Sequence, residues 1–187
     1  MQPIQSDSTS GTGEMLRERN TLRRGLVAGL LGGLAVAVFF LIVDLINAQV
    51  FYTPAALGSA LFYGANDPVD VVINAPVVVG YTFVHFAAFF LLGLFVAWVV
   101  EEADRFPPML LGMVLFFVTL EVFSLGMLAA VASWLFNTIP WWTPIVANLL
   151  AAAAMVGYLW KQHPGLRGRL GVNVEDDVTA EKPIGAV

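Results

Sequence analysis

The 187-residue sequence contains no cysteine and few charged side chains. The lack of cysteine excludes disulfides, thiolate metal sites and thiol redox chemistry. Asp, Glu, Lys and Arg together make up 12% of the residues, whereas a soluble domain carries roughly a quarter. Because 58% of the residues are hydrophobic and the mean hydropathy is +0.78, much of the apolar surface is expected to face lipid. The composition therefore indicates an integral membrane protein.

Most of the acidic residues behind the net charge of −5 lie in the tails and short loops. We attribute this charge to solvation, and it argues against nucleic acid as a partner. Residues 1–20 and 164–187 are polar, charged and nearly free of aromatic side chains, so both are predicted to be disordered tails. Residues 21–163 then form a single transmembrane domain.

Four long apolar blocks predict an all-α fold, an integral membrane four-helix bundle. At about 1.5 Å per residue, each block is long enough to cross a hydrocarbon core about 30 Å thick. None shows the two-residue alternation of a membrane barrel strand. Asn74 and Thr143 stand where helix caps are expected, each shortly before a proline. The predicted spans are residues 24–46, 76–101, 107–136 and 142–162.

A fifth, shorter helix is predicted in the first connection. Thr53 is a cap-like residue before Pro54, and Gly64 ends the segment. Residues 54–63 are too few to cross a bilayer, so this helix is expected to lie at the membrane interface.

Basic residues predict the orientation of the chain. They precede the first span, lie between the second and third, or follow the fourth, and the other two connections contain none. By the positive-inside rule, both termini are expected to be cytoplasmic and the first and third loops external. The basic residues are Arg17, Arg19, Arg23, Arg24, Arg105, Lys161, Arg167, Arg169 and Lys182.

An alternative interpretation makes the first block a cleaved export signal, because "TLRRGL" contains the paired arginines of a twin-arginine leader. The apolar run is longer than the usual 7 to 15 residues, and no small-residue cleavage site follows it. Three spans would remain after cleavage.

Each span carries one strongly polar residue, and all four are expected in the outer half of the bundle. An unpaired charge in hydrocarbon is costly, so such side chains face protein and pair with one another. We therefore predict an inward polar cluster of Asp44, His85, Glu121 and Asn148, with His85 and Glu121 as its ion pair.

Helical spacing indicates which faces point inward. Small residues recur along the first span towards Asp44 and would let a second backbone approach closely. These helix-packing residues are Gly25, Gly29, Gly33 and Ala37. Tyr81 and Thr82 lie within one turn of His85, and Ser124 lies within one turn of Glu121, so these three residues are predicted to support the cluster.

The polar cluster leaves several functional hypotheses open. His85 and Glu121 are the right residue types for a proton or ion relay, although no polar chain continues from them to the cytoplasmic side. A haem held by two histidines would need a second subunit, because His163 lies at the opposite membrane face. A metal held by Asp44, His85 and Glu121 lacks the short ligand spacings of known sites. No catalytic motif supports a nucleophile at Ser124 with His85 as its base.

Small size, short loops and long apolar faces favour a non-enzymatic role. The sequence predicts an accessory or scaffolding subunit that associates with a larger membrane complex or with itself. No cofactor is expected, and the lipid bilayer is the expected partner of the apolar surface. Richness in Ala, Gly, Leu and Val favours a bacterial inner (plasma) membrane.

Overall fold

In the computed structural model, residues 8–103 and 109–162 are described, and this part of the chain is all-helical. Four of its helices are long and apolar enough to cross a membrane, which indicates a multi-pass membrane protein. The α-helices are α1 (Ser8–Ile46), α2 (Tyr52–Tyr63), α3 (Ala75–Ala103), α4 (Met109–Ala132) and α5 (Thr143–Gln162). Two 3-10 turns, Pro68–Asp70 and Ser133–Asn137, lie in the connections.

Helices α3 and α5 lie within two residues of the predicted spans, whereas α1 and α4 differ from theirs. Helix α1 begins at Ser8, so it includes residues that the sequence assigned to a disordered tail. Because α4 gives way to a 3-10 turn at Ser133, it is shorter than the predicted span 107–136. The C-terminal tail, residues 164–187, and the loop that carries Arg105 lie outside the described residues.

Helices α1 and α3 pack so closely that glycine backbones touch. A Cβ atom added to Gly93 would meet the carbonyl oxygen of Gly25 and the backbone of Gly29. A Cβ added to Gly25 would lie 2.8 Å from the Cα of Leu94, which is closer than two nonbonded carbon atoms approach. Only glycine permits this approach, as in the small-residue packing motifs of membrane helices.

Helix α5 covers a second face of α1. Its buried residues recur every fourth position: Thr143, Ala147, Ala151, Met155 and Leu159. Gly32 of α1 makes room for Met155, since an added Cβ would lie 2.6 Å from the Met155 Sδ. Ala28 and Ala97 complete a buried cluster with Met155 and Leu159, so α1, α3 and α5 share one core.

Helix α2 closes one end of the bundle. Gly58 lies against Val77 of α3, where an added Cβ would be 2.7 Å from the Val77 Cγ1. Apolar residues of α2 also join residues of the second 3-10 turn in one buried cluster. Asn74 caps the neighbouring α3, because its Oδ1 accepts a hydrogen bond of 2.9 Å from the Val77 backbone N–H. The members of the buried cluster are Tyr52, Ala56, Ala60, Leu135 and Ile139.

Helix α4 is the spanning helix that packs least. None of its described side chains is buried, whereas α1, α3 and α5 all contribute buried residues. Its half-buried positions, among them Met113, Phe117, Leu120 and Ser124, form one stripe facing the bundle. The remaining surface of α4 is exposed and apolar. Helix α4 therefore packs against a core whose buried residues come from the other helices.

Candidate functional site

Asp44 is a capping residue that joins α1 to α2. Its carboxylate accepts a hydrogen bond of 2.9 Å from the Thr53 backbone N–H and one of 2.6 Å from the Thr53 hydroxyl. Thr53 lies in the first turn of α2, where backbone N–H groups lack helical partners and a negative charge is favourable. Asp44 is only 3% exposed, so this contact takes place away from solvent.

His85 contacts the backbone of α1. Its Nε2 lies 3.1 Å from the carbonyl oxygen of Gly33. A carbonyl oxygen only accepts hydrogen bonds, so this geometry assigns the proton to Nε2 and leaves Nδ1 as an acceptor in the neutral ring. The aromatic rings of Tyr81, Phe86 and Phe89 surround the imidazole, with centroids between 4.8 and 6.2 Å from it.

Glu121 and Asn148 form the polar link between α4 and α5. The Asn148 Nδ2 donates a hydrogen bond of 2.8 Å to the Glu121 Oε2. The second carboxyl oxygen, Oε1, is buried and has no partner among the described residues. This hydrogen bond fixes the register of α4 at the middle of the bundle.

The four polar residues thus form three separate contacts within the described structure. Glu121 and Asn148 bind each other. His85 and Glu121, the expected ion pair, share no hydrogen bond or salt bridge there, because His85 is engaged by Gly33. Asp44 is engaged by Thr53.

The predicted supporting residues have different surroundings. The hydroxyl of Thr82 donates to the Val78 carbonyl of its own helix at 2.7 Å and is exposed. The hydroxyls of Tyr81 and Ser124 make no hydrogen bond within the described part of the chain. Both line the same cavity, which distinguishes them from Thr82.

That cavity is an apolar cleft of about 480 Å³ between α4 and the rest of the bundle, which we call the main cleft. Its polar lining residues are Thr53, Tyr81, His85, Ser124 and Asn148. A side pocket of about 270 Å³ shares Tyr81 and His85 with it and includes Asp44. A third cavity, of about 470 Å³, continues along α4 past Ser124 and Glu121. The predicted polar residues therefore border three neighbouring apolar cavities that share lining residues.

Three of the four predicted helix-packing residues of α1 pack against α3, and the fourth does not. Gly25, Gly29 and Gly33 are buried against α3, whereas Ala37 is exposed. Gly93 completes this packing from α3, and sequence reasoning missed it. The signal for Gly93 was its position as the one glycine in the middle of an otherwise bulky apolar helix.

The three residues of the metal hypothesis have separate partners in the described structure. The described residues contain no group of three or more His, Cys, Asp or Glu side chains that could hold a metal ion. Asp44, His85 and Glu121 bind different partners on different helices, which is why they form no common ligand set. His163, the second histidine of the haem hypothesis, lies outside the described residues.

Sequence reasoning also missed two further polar contacts. The sequence predicts Thr53 as the cap of a helix over residues 54–63, but α2 begins at Tyr52, and the Thr53 hydroxyl, in its first turn, donates to Asp44. Thr21 donates to the Glu101 carboxylate and joins α1 to α3 at the end of the bundle opposite α2. The two partners of each pair are more than one helical turn apart in the sequence, so local residue spacing does not predict the contact.

Comparisons of this chain with models of protein families, with curated proteins and with solved structures found no match.

Proposed function

We propose that this protein is a non-enzymatic scaffolding subunit of a membrane assembly and that it assembles through the outer face of α4. The observation that carries the proposal is that α4 spans the bundle without burying any of its described side chains. A helix with such a free apolar face is suited to pack against a further membrane helix.

The polar contacts support a structural role. Asp44 caps α2, His85 binds the backbone of α1, and Glu121 binds Asn148 of α5. Each contact joins two different helices, and interhelical hydrogen bonds of this kind specify which helices pack together. A relay would instead require His85 and Glu121 to exchange protons, and these two residues have separate partners.

Small residues follow a seven-residue repeat on the exposed face of α4. Gly112, Thr119 and Gly126 are seven residues apart, and Ala130 follows one turn later. All four are exposed, and a Cβ added to either glycine would meet nothing within 4 Å. A heptad spacing keeps residues on one side of a helix, and small residues there let a second helix approach.

The partner that fits this surface is α4 of a second copy. A two-fold contact brings the same surface of both subunits together, so it must be self-complementary. Phe123 projects beside the small residues Thr119 and Gly126, and it is 69% exposed. The small residues of one copy offer space for the phenylalanine of the other, and the reverse holds equally.

The proposed setting is a bacterial inner membrane, with both termini cytoplasmic and α2 at the external interface. The basic residues at the chain ends and in the central loop support this orientation. The exposed aromatic residues Phe62, Tyr63, Trp141 and Trp142, all towards the α2 end, support an interfacial belt there.

The test is energy transfer between two labelled copies in liposomes. Because the chain has no cysteine, a single Thr138→Cys substitution gives one site for donor and acceptor dyes. We expect transfer to persist when lipid is added in excess. The double variant Gly112→Leu/Gly126→Leu should weaken association about tenfold, since leucine fills the space that the second helix needs.

The matched control is Gly157→Leu on α5. Gly157 also has nothing within 4 Å of an added Cβ, yet it lies away from α4. Its substitution should leave energy transfer unchanged. Loss of transfer on simple lipid dilution of the unsubstituted protein would overturn the proposal, as would equal effects of the α4 and α5 substitutions.

A further inference from the structure

The main cleft has the size and the walls of a ligand site. Its volume of about 480 Å³ lies within the range of roughly 300 to 1,000 Å³ typical of small-molecule pockets. Aromatic and aliphatic side chains from every helix form its walls, among them Phe40, Leu57, Phe89, Leu120 and Leu128. A molecule held there would be largely hydrocarbon.

Unsatisfied hydrogen-bonding groups mark one region of this cleft. The hydroxyls of Tyr81 and Ser124 have no hydrogen-bond partner within the described residues. His85 lines the same cleft and keeps Nδ1 as an acceptor, because its Nε2 is used by Gly33. Polar groups left unpaired in an apolar site are costly, and a ligand hydroxyl or carbonyl would satisfy them.

The charges around the cleft restrict the ligand further. No charged residue belongs to the described lining of the main cleft. The nearest carboxyl groups are Asp44, in the side pocket, and Glu121, in the third cavity. A phosphate or carboxylate would therefore find no counter-charge and two acidic neighbours. Glu121 keeps one oxygen, Oε1, without a partner among the described residues, but it lines the third cavity, and Asp44 lines the side pocket, so neither carboxyl group is placed to pair with a cation in the main cleft.

We infer that the main cleft binds an uncharged lipid, a long hydrocarbon molecule with a hydroxyl or carbonyl head that hydrogen-bonds to Tyr81, His85 and Ser124. Diacylglycerols and long-chain alcohols carry hydroxyl heads, and quinones carry carbonyl heads. The hydrocarbon part lies between α4 and the core helices. The hydrogen-bonding groups of the cleft are separate from Gly112, Thr119 and Gly126, the small residues proposed to contact a second copy, whereas Phe123 borders both surfaces.

The experiment uses three photoreactive probes with the same chain and different heads. They are hexadecanol, hexadecanoic acid and hexadecylamine, each with a diazirine in the chain and a terminal alkyne, applied to the full chain in lipid nanodiscs. At about pH 9 the acid is ionised. We expect the alcohol to label peptides around Leu120 and Leu128 about tenfold more than the acid or the amine does. Excess dioleoylglycerol and excess decylubiquinone are competitors that separate a hydroxyl head from a carbonyl head.

Paired variants test the hydrogen-bonding groups. Tyr81→Phe/Ser124→Ala removes two hydroxyls from the cleft and should lower labelling by the alcohol about fivefold for each hydroxyl lost. Tyr63→Phe/Ser133→Ala makes the same chemical changes at exposed residues outside the cleft and should have no effect. A third variant, Leu120→Trp, fills the cleft and should block labelling by the alcohol.

Equal labelling by the three probes would show that lipid chains merely fill the space, and it would overturn the inference. Stronger labelling by the acid or the amine would overturn it too, because the site would then select a charge. If the hydroxyl variants fail to fold, the comparison of the three probes on the unsubstituted chain decides the matter alone.

Discussion

At the scale of single residues, the four polar side chains predicted to form a cluster bind backbone groups, a hydroxyl or an amide. Asp44 binds a backbone N–H together with a hydroxyl, His85 binds a carbonyl, and Glu121 binds the amide of Asn148. The need for partners could be predicted, because hydrocarbon offers none. The identity of the partners could not, since it depends on helix rotation and on the accessible carbonyl of Gly33.

The bond between Glu121 and Asn148 predicts a measurable coupling. In a double-mutant cycle with Glu121→Leu and Asn148→Leu, we expect an interaction free energy of about 0.6 to 1.7 kcal/mol, the range for hydrogen bonds between membrane helices. Unfolding of the detergent-solubilised chain would provide the four free energies. Thr119→Val is the control, since the Thr119 hydroxyl bonds to Leu115 of its own helix, and it should show no coupling to Asn148.

The glycine contact between α1 and α3 predicts opposite outcomes for one chemical change. Gly93→Ala should lower the free energy of unfolding by about 1 to 3 kcal/mol, because the new methyl group overlaps backbone of α1. Gly126→Ala adds the same methyl group where nothing lies within 4 Å, so it should not destabilise the isolated subunit. Thermal unfolding in detergent compares the two, and equal destabilisation would contradict the close contact.

At the scale of helices, the apolar run lengths and the prolines were sufficient to predict α3 and α5 to within about two residues. They were insufficient for α1, whose polar first turns continue the helix back to Ser8. The packing of α2 against the other helices could not be predicted from the sequence either. Its buried face consists of small residues such as Ala55, Ala56 and Ser59, which carry no periodic signal of their own.

The attachment of α2 to α1 predicts the effect of removing a charge. Asp44→Asn retains the shape of the side chain but replaces one acceptor oxygen with an NH₂ group. The amide oxygen can still accept from the Thr53 N–H, and the NH₂ group can donate to the Thr53 hydroxyl, but both bonds lose the charge of the carboxylate, and we expect a cost of about 1 kcal/mol. Hydrogen exchange should accelerate in α2 before it accelerates in α3. Asp70→Asn, at an exposed position, is the control and should change neither.

At the scale of the whole molecule, the composition of the helices predicts the number of membrane spans, and the basic residues predict their orientation. Composition indicates four membrane-spanning helices, and the structure contains four helices of the required length. The orientation of the spans is predicted only from the positions of the basic residues, and the test of it uses the protein in a membrane. The sequence did not predict which helices are neighbours, because the small residues of α1 indicate close packing without identifying α3 and α5 as the helices that pack there.

Single cysteines would test the orientation. In the cysteine-free chain, Asp70→Cys and Thr138→Cys should react with a membrane-impermeant maleimide in intact cells. Gln162→Cys, at the other end of α5, should react only after the membrane is permeabilised. Labelling of Gln162→Cys in intact cells, with protection of the other two positions, would show the inverted orientation.

The pairing of α1 with α5 has a consequence for biosynthesis. The surface of α1 around Ala28 and Gly32 is covered by Met155 of α5, which is synthesised after α1, α2, α3 and α4. A nascent chain that ended before α5 would expose this surface, and it would leave Glu121 facing acyl chains without Asn148. Premature termination therefore yields a product that membrane quality-control proteases can distinguish from the finished subunit.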